Sequence, residues 1–430
     1  MRISQTLTAI SAAILVLGFQ LSAAIAATRT VCVHLAYNDD RVDCPAPGTT
    51  GARYTCQPAN GWSTALGHTL ELWDKDPTGG DEFIGYFVTG RTPGSASCFA
   101  FEWENASYSL GEANPDVYIR YRYEASGQAN GLFVQAQDEN GNRFTTITWR
   151  NGTSSNSEAH VAMDCTNGSS CWINGGGILY PNSSGSSPET VGMGGIDAAA
   201  AALVPFISVE DINPSRLIPL KIYTNACSGG CANIATIWAT WTKATQPEVM
   251  THEMGHVMQF RAVDNELGGN DTNKNDPSGS WGMWSDEHEE VTLVEGFATY
   301  VGVVSYYDPQ VSAVVPIFGG SNVETNSFTN CSTSHVFVGS VIRGLWDIDD
   351  INNESAHASV DSGYADATSI ATPLLMTYWT YFPSGTGNRQ RQESDVDGPN
   401  IRDYAVNSGL TTTGTRSLID HNCLEGQDNN

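Results

Sequence analysis

Between residues 69 and 123 the chain runs in short bursts of alternating apolar and polar positions. Thr69-Leu70-Glu71-Leu72-Trp73, Glu82-Phe83-Ile84-Gly85-Tyr86-Phe87-Val88, Cys98-Phe99-Ala100-Phe101-Glu102-Trp103 and Asp116-Val117-Tyr118-Ile119-Arg120-Tyr121-Arg122-Tyr123 alternate or are dense in aromatics. Turn-forming runs such as Asp76-Pro77-Thr78-Gly79-Gly80 and Thr92-Pro93-Gly94-Ser95 separate them. Period-two bursts spaced by such turns predict a β-sandwich over residues 27–150. From 151 to 190 the pattern gives way to Ser, Gly and Asn, as in Asn182-Ser183-Ser184-Gly185-Ser186-Ser187-Pro188, which predicts a linker or loop region.

Beyond it the period changes. Asp197-Ala198-Ala199-Ala200-Ala201-Ala202-Leu203 predicts a helix, and Leu217-Ile218-Pro219-Leu220-Lys221-Ile222-Tyr223 a strand that Pro219 confines to an edge or a strand end. Helical periodicity begins near Gln246 or Pro247, Pro being acceptable in a first turn, and recurs at 286–304, 336–347 and 370–382. Strands first and helices later give an α+β reading: an N-terminal β-sandwich followed by a mainly helical domain over 191–430. No internal repeat is visible.

The N-terminus changes the picture of where the chain works. Arg2 precedes a mostly apolar stretch, Leu7 to Leu21, and Ala24-Ile25-Ala26 offers a small-x-small cleavage pattern. Residues 1–26 therefore read as a signal peptide, too short for a comfortable membrane span. The expected product is exported, secreted or extracellular, with the periplasm as the other destination. Roughly 400 residues remain, enough for two domains. All ten cysteines follow the expected cut, and an even number in an exported chain suggests disulfides. Cys165 with Cys171, and Cys227 with Cys231, are close enough for local loops. Cys227-x-x-x-Cys231 as a metal pair lacks a second pair or a nearby His to complete it.

Charge excludes one class of partner. Asp and Glu number 47 against 20 Lys and Arg, a net charge of −27. Such a chain repels nucleic acid and anionic membrane. Solubility in an extracellular medium accounts for the acidity, and calcium at some Asp-rich loops is the sharper alternative.

The chemistry concentrates at His252-Glu253-Met254-Gly255-His256. On a helix, positions i and i+4 share a face, so His252 and His256 can offer two imidazoles to one metal ion with Glu253 beside them. Two neutral nitrogens and a carboxylate base are what zinc-assisted hydrolysis of a peptide bond needs. Two histidines do not complete a zinc site. A metzincin would continue with Gly at 259 and His at 262, where this chain has Gln259 and Ala262. The other source is a glutamate on a later helix, with Glu295 in Leu293-Val294-Glu295-Gly296-Phe297-Ala298-Thr299-Tyr300 favoured over the charged run Glu287-His288-Glu289-Glu290.

Together the two segments resemble the gluzincin metallopeptidases, in which an E-G-x-A-x-[YF] stretch follows the histidine motif. The resemblance implies a zincin-like metallopeptidase domain, with His252, His256 and Glu295 as zinc ligands, Glu253 as general base, and a protein or peptide substrate. Ser334-His335-Val336-Phe337-Val338-Gly339-Ser340-Val341-Ile342 looks like a later helix of thermolysin-like enzymes, which implies that His335 donates a hydrogen bond to the reacting oxyanion. Two departures stand out. Thr299 occupies the position at which those enzymes carry an acid that orients a zinc histidine, and Asn330 replaces an acid five residues before His335. Support for the ligands must differ or come from elsewhere, with Asp286, Glu289 and Asp347 as acidic candidates.

In the first domain, Leu72-Trp73-Asp74-Lys75-Asp76 followed by Asp81-Glu82-Phe83-Ile84-Gly85 resembles transthyretin-like domains and the third calcium loop of C2 domains. The C2 resemblance implies calcium ligands at Asp74, Asp76 and Asp81. The alternative is a solvated turn. For the whole protein the competing reading is a secreted surface- or carbohydrate-binding protein with a degenerate metallopeptidase domain. A degenerate domain usually loses its base or a ligand, and His252, Glu253 and His256 are all kept.

Overall fold

The computed structural model describes the chain chiefly at residues 27–38, 62–64, 67–74, 80–89, 96–103, 117–126, 133–137, 147–148, 170–173, 178–179, 192–197, 217–222, 229–233, 236–240, 246–262, 282–283, 286–287, 289–309, 314–323 and 336–349. Strand β1 (Ala27–Asn38) is the hub of a five-stranded sheet. Around it lie β2 (Trp62–Thr64), β5 (Ser97–Trp103), β9 (Ser170–Trp172) and β10 (Ile178–Leu179). In the antiparallel β1–β5 pair Cys32 faces Cys98 in register, and the two form a disulfide. Cross-strand opposition brings the two sulfurs within bonding reach although 66 positions separate them. Cys171 and Cys231 each take part in a further disulfide with a cysteine outside the described residues.

The second sheet has eight strands. Its path is β12 (Gly230–Ala232), β13 (Ile237–Ala239), β11 (Leu217–Ile222), β7 (Phe133–Gln137), β6 (Val117–Ser126), β3 (His68–Asp74) and β4 (Glu82–Val88), and β8 (Ile147–Thr148) pairs with β6. The strands read from alternation at 69–73, 82–88, 98–103 and 116–123 are all present. One face buries Leu70, Leu72, Ile119, Tyr121, Val134 and Ala136. The sheet is mixed: β11 runs parallel to both β7 and β13, while β3, β4 and β6 are antiparallel. The β7–β11 pairing joins strands from either side of the 151–190 region.

β11 also shows how Pro219 is tolerated between two neighbours. Its pairing with β13 starts only at Leu220, so at Pro219 the strand has a partner on one side, opposite Gln135 of β7. Of the expected 197–203 helix, only Asp197 is described, as the last residue of a helical run over 192–197.

Among the described residues, three helices follow. α1 spans Pro247–Ala262, α2 Glu289–Tyr306 and α3 Val338–Asp349. α1 begins where Pro247 predicts, with the Val249 and Met250 amides bonded to the Gln246 carbonyl. α2 lies between α1 and α3 and packs on both. Buried side chains on these helices include Met254, Val257, Phe297, Val301, Val341 and Trp346. The short strands β14 (Asp286–Glu287) and β17 (Val336–Phe337) pair and tie the start of α2 to the start of α3. The hairpin of β15 (Ile317–Phe318) and β16 (Ser321–Asn322) turns through Gly319 and Gly320, both at positive φ, as a tight two-residue hairpin requires. The expected 370–382 helix lies outside the described residues.

Candidate metal centre

The site is made by the close approach of α1 and α2. Gly255 on α1 faces Ala298 on α2, and a Cβ added at Gly255 would stand 2.6 Å from the Ala298 Cα and 2.8 Å from its carbonyl oxygen. Gly302, one turn on from Ala298, leaves room for Thr251. The other side of α2 does the same with Gly296, where a Cβ would lie 2.6 Å from Val341 of α3. Small residues on both sides of α2 thus set its depth, and that depth brings Glu295 level with the two histidines.

Three side chains converge. His252 Nε2 and His256 Nε2 are 3.0 Å apart, and each is 3.2 Å from Glu295 Oε2. They are the group of ligand-type side chains among the described residues that could hold a metal ion. Tetrahedral zinc with ligand bonds of about 2.0–2.1 Å separates neighbouring ligand atoms by roughly 3.3 Å. The observed separations match that edge, so the residues fit such an ion.

The electrostatics agree with a cation site. Burial alone would raise the Glu295 carboxyl, but His256, together with hydrogen bonds from both imidazoles, holds it well below the ordinary carboxylate range. Burial disfavours the His256 imidazolium, yet the Glu295 charge and hydrogen bond outweigh it and raise His256 to about 9. Without a metal, a proton takes the place of the positive charge that the three side chains favour.

The outer nitrogens are held by neutral groups. His252 Nδ1 lies 3.0 Å from Thr299 Oγ1, and His256 Nδ1 donates to Gln259 Oε1 at 3.0 Å. Gln259 Nε2 in turn donates to the Val294 carbonyl at 3.0 Å. Acidic supports were expected from Asp286, Glu289 or Asp347; the partners found are a hydroxyl and an amide. Thr299 occupies the orienting position with a different chemical group. Gln259 was read in the sequence only as a departure from the metzincin pattern. The one signal for it is its i+3 spacing from His256.

Glu253 lies beside the triad, 5% exposed. Its Oε2 is buried without a hydrogen-bond partner. Burial raises its carboxyl above the usual range, against the lowering effect of both histidines and with Glu295 adding to the rise. Behind it lies β12, the end strand of the eight-stranded sheet. A Cβ at Gly230 would sit 2.5 Å from Glu253 Oε1. Only a glycine lets the strand backbone come this close, and sequence reading gave Gly230 no role.

His335 lies outside the described residues; α3 begins three positions later, at Val338. Asp76 lies outside them as well. At the eight-stranded sheet Asp81 accepts a hydrogen bond from Tyr118 at 2.5 Å and pairs with Arg120 at 3.5 Å, and Asp74 is buried. Asp81 is thus engaged by protein groups.

No family model matches the chain, and no curated protein matches it. Among solved structures it is similar to a 9R-lipoxygenase from Cyanothece PCC8801, at 14% identity and a TM-score of 0.19. That match covers 46% of this chain and spans 24% of the lipoxygenase. A likeness of that size carries no argument about fold or chemistry. No described helix is long and apolar enough to cross a membrane.

Proposed function

We propose that this chain is a secreted zinc metallopeptidase that hydrolyses peptide bonds in a protein or peptide substrate. The observation that carries the reading is the convergence of His252 Nε2, His256 Nε2 and Glu295 Oε2 beside a buried carboxylate oxygen of Glu253 that has no hydrogen-bond partner. A zinc ion held by the three ligands supplies Lewis acidity toward a carbonyl and toward water. Glu253 accepts the proton of the attacking water and returns it to the departing amine. Burial raises its carboxyl above the ordinary value, which makes it a stronger base. Thr299 and Gln259 hold the two imidazoles in place. The apolar leader read at residues 1–26 and the disulfides support export.

Glu253→Gln tests the reading. The variant should keep the parent's zinc content and lose on the order of 10²–10⁴-fold in hydrolysis of a casein substrate. Chelator-treated parent should be equally inactive and should recover with added zinc. A Glu253→Gln protein that cleaves as fast as its parent would sink the proposal.

A binding protein is the second reading. It is favoured by the face of the eight-stranded sheet on which Tyr86 is 60% and Phe83 40% exposed. There Trp73 packs edge-on to Phe83, and the Arg120 guanidinium lies 4.2 Å from the centre of the Trp73 ring. In that reading the sheet face attaches to a cell surface or polysaccharide and the metal centre is inert. Retention of all three ligands and the base weighs against it.

A further inference from the structure

We propose that Gln259 is a positioning residue with two separable jobs: it fixes the proton of His256 on Nδ1, and it couples the two helices that carry the metal ligands. The inference rests on the reading of the triad as a metal site. It follows from the donor and acceptor inventory alone. The Val294 carbonyl can only accept, so the Gln259 group 3.0 Å from it is the amide nitrogen. The amide oxygen therefore faces His256 Nδ1, also at 3.0 Å. An amide oxygen can only accept, so Nδ1 carries the proton. A neutral imidazole protonated on Nδ1 has its lone pair on Nε2, the atom that meets Glu295 and His252. Reversing the amide would set its oxygen against a carbonyl, so the tautomer is locked from α2.

The positions of the partners make the lock a coupling. Gln259 is fully buried and lies one turn beyond His256 on α1. Val294 is the residue before Glu295 on α2. A single neutral side chain thus holds the second ligand with its oxygen and the backbone beside the third ligand with its nitrogen.

The two jobs separate in two variants of the full-length protein. Gln259→Leu removes both ends of the amide. Gln259→Glu keeps an acceptor for His256 Nδ1–H and loses the donor to Val294. Zinc affinity, read by competition with a chromophoric chelator, should fall about 10–100-fold in Gln259→Leu and stay at or above the parent value in Gln259→Glu. The melting temperature of the metal-free protein should fall in both. Affinity would then follow the acceptor while stability follows the donor, which a mere packing role does not produce. A Gln259→Leu protein that binds zinc within threefold of the parent, or two variants that lose affinity in parallel with stability, would overturn the proposal.

A second readout separates this inference from the zinc assignment. The His256 Nδ1–H of the metal-free protein near pH 7 should give a hydrogen-bonded proton signal that exchanges slowly with solvent in the parent, and should lose that protection in Gln259→Leu. If the parent binds no zinc, the metal reading fails while this measurement still decides the role of Gln259. A parent in which Nδ1 carries no protected proton overturns it.

Discussion

Among the described residues, two buried clusters set a histidine against a carboxylate, and one of the two has the geometry of a metal site. In the sheet, His68 is fully buried, with Nδ1 2.6 Å from the Tyr121 hydroxyl and Nε2 3.4 Å from Asp197 Oδ1. Its two nitrogens point to different partners, so the imidazole bridges β6 to the 192–197 run as a structural link. Beside it β6 bulges: pairing shifts between His68 and Leu70, and Tyr123 adopts a positive φ of 54°. Between α1 and α2, two Nε2 atoms and one carboxylate oxygen meet at a single point while the Nδ1 atoms face outward to Thr299 and Gln259. Convergence, more than burial or the presence of a His–carboxylate pair, marks a cation site.

That contrast can be broken from either side. The largest effect belongs to the shared oxygen. Glu295→Gln should weaken zinc binding by more than about 100-fold, beyond what losing an orienting partner does. Equilibrium dialysis checks it, and near-parental affinity would remove Glu295 from the ligand set. Gly230→Ala comes next, because its methyl group would press on Glu253 and leave the ligands alone. Hydrolysis should fall by up to about 100-fold, as displacement of a reacting group by about 1 Å can cause, with zinc content unchanged. Equal activity in a correctly loaded Gly230→Ala protein would show that β12 does not constrain the base.

A smaller effect appears in the metal-free protein as pH changes. His256 is raised from 6.5 to about 9, so its contribution to stability is complete below pH 6.5 and is lost as pH climbs through about 9. Glu295 is lowered from 4.5, so its contribution is complete above pH 4.5 and is lost as pH falls toward its folded value. Melting temperature should therefore be highest between pH 4.5 and 6.5 and decline toward pH 9, by on the order of 2 kcal/mol in stability. Zinc loading should flatten that decline, since the metal replaces the proton. A metal-free protein equally stable at pH 6 and pH 9.5 contradicts the coupling.

The smallest effect sharpens the comparison from the sheet side. Tyr121→Phe removes the hydroxyl that meets His68 and should cost about 1–3 kcal/mol in denaturant unfolding. Zinc affinity should not move. A loss of zinc affinity in this variant would mean that the two clusters are linked.

Much of the candidate centre is legible in the linear chain because its first half is local. His252 and His256 are four positions apart, and helical geometry alone places them on one face. Pro247 marks the start of α1, and the alternation at 69–73, 82–88, 98–103 and 116–123 matches β3, β4, β5 and β6. Glu295 was reachable because a motif of known type surrounds it. Gln259, Gly230 and the Thr299 hydroxyl were not, because their roles depend on which atoms lie opposite them. The same is true of the Cys32–Cys98 pairing and of the β7–β11 contact, which joins strands about eighty residues apart in a pattern that no local period encodes.

The sequence by itself determined strands β3 to β6, the three helices α1 to α3 and the pair of imidazoles, since hydrophobic period and i, i+4 spacing are properties of a single segment. Only the tertiary structure decided that the pair becomes a triad. Gly255 and Ala298 allow two helices to approach to backbone contact, and that approach carries Glu295 to the histidines and the Val294 carbonyl to Gln259. The third side chain of the triad comes from a separate helix, so its arrival depends on how two surfaces pack, which no single segment records.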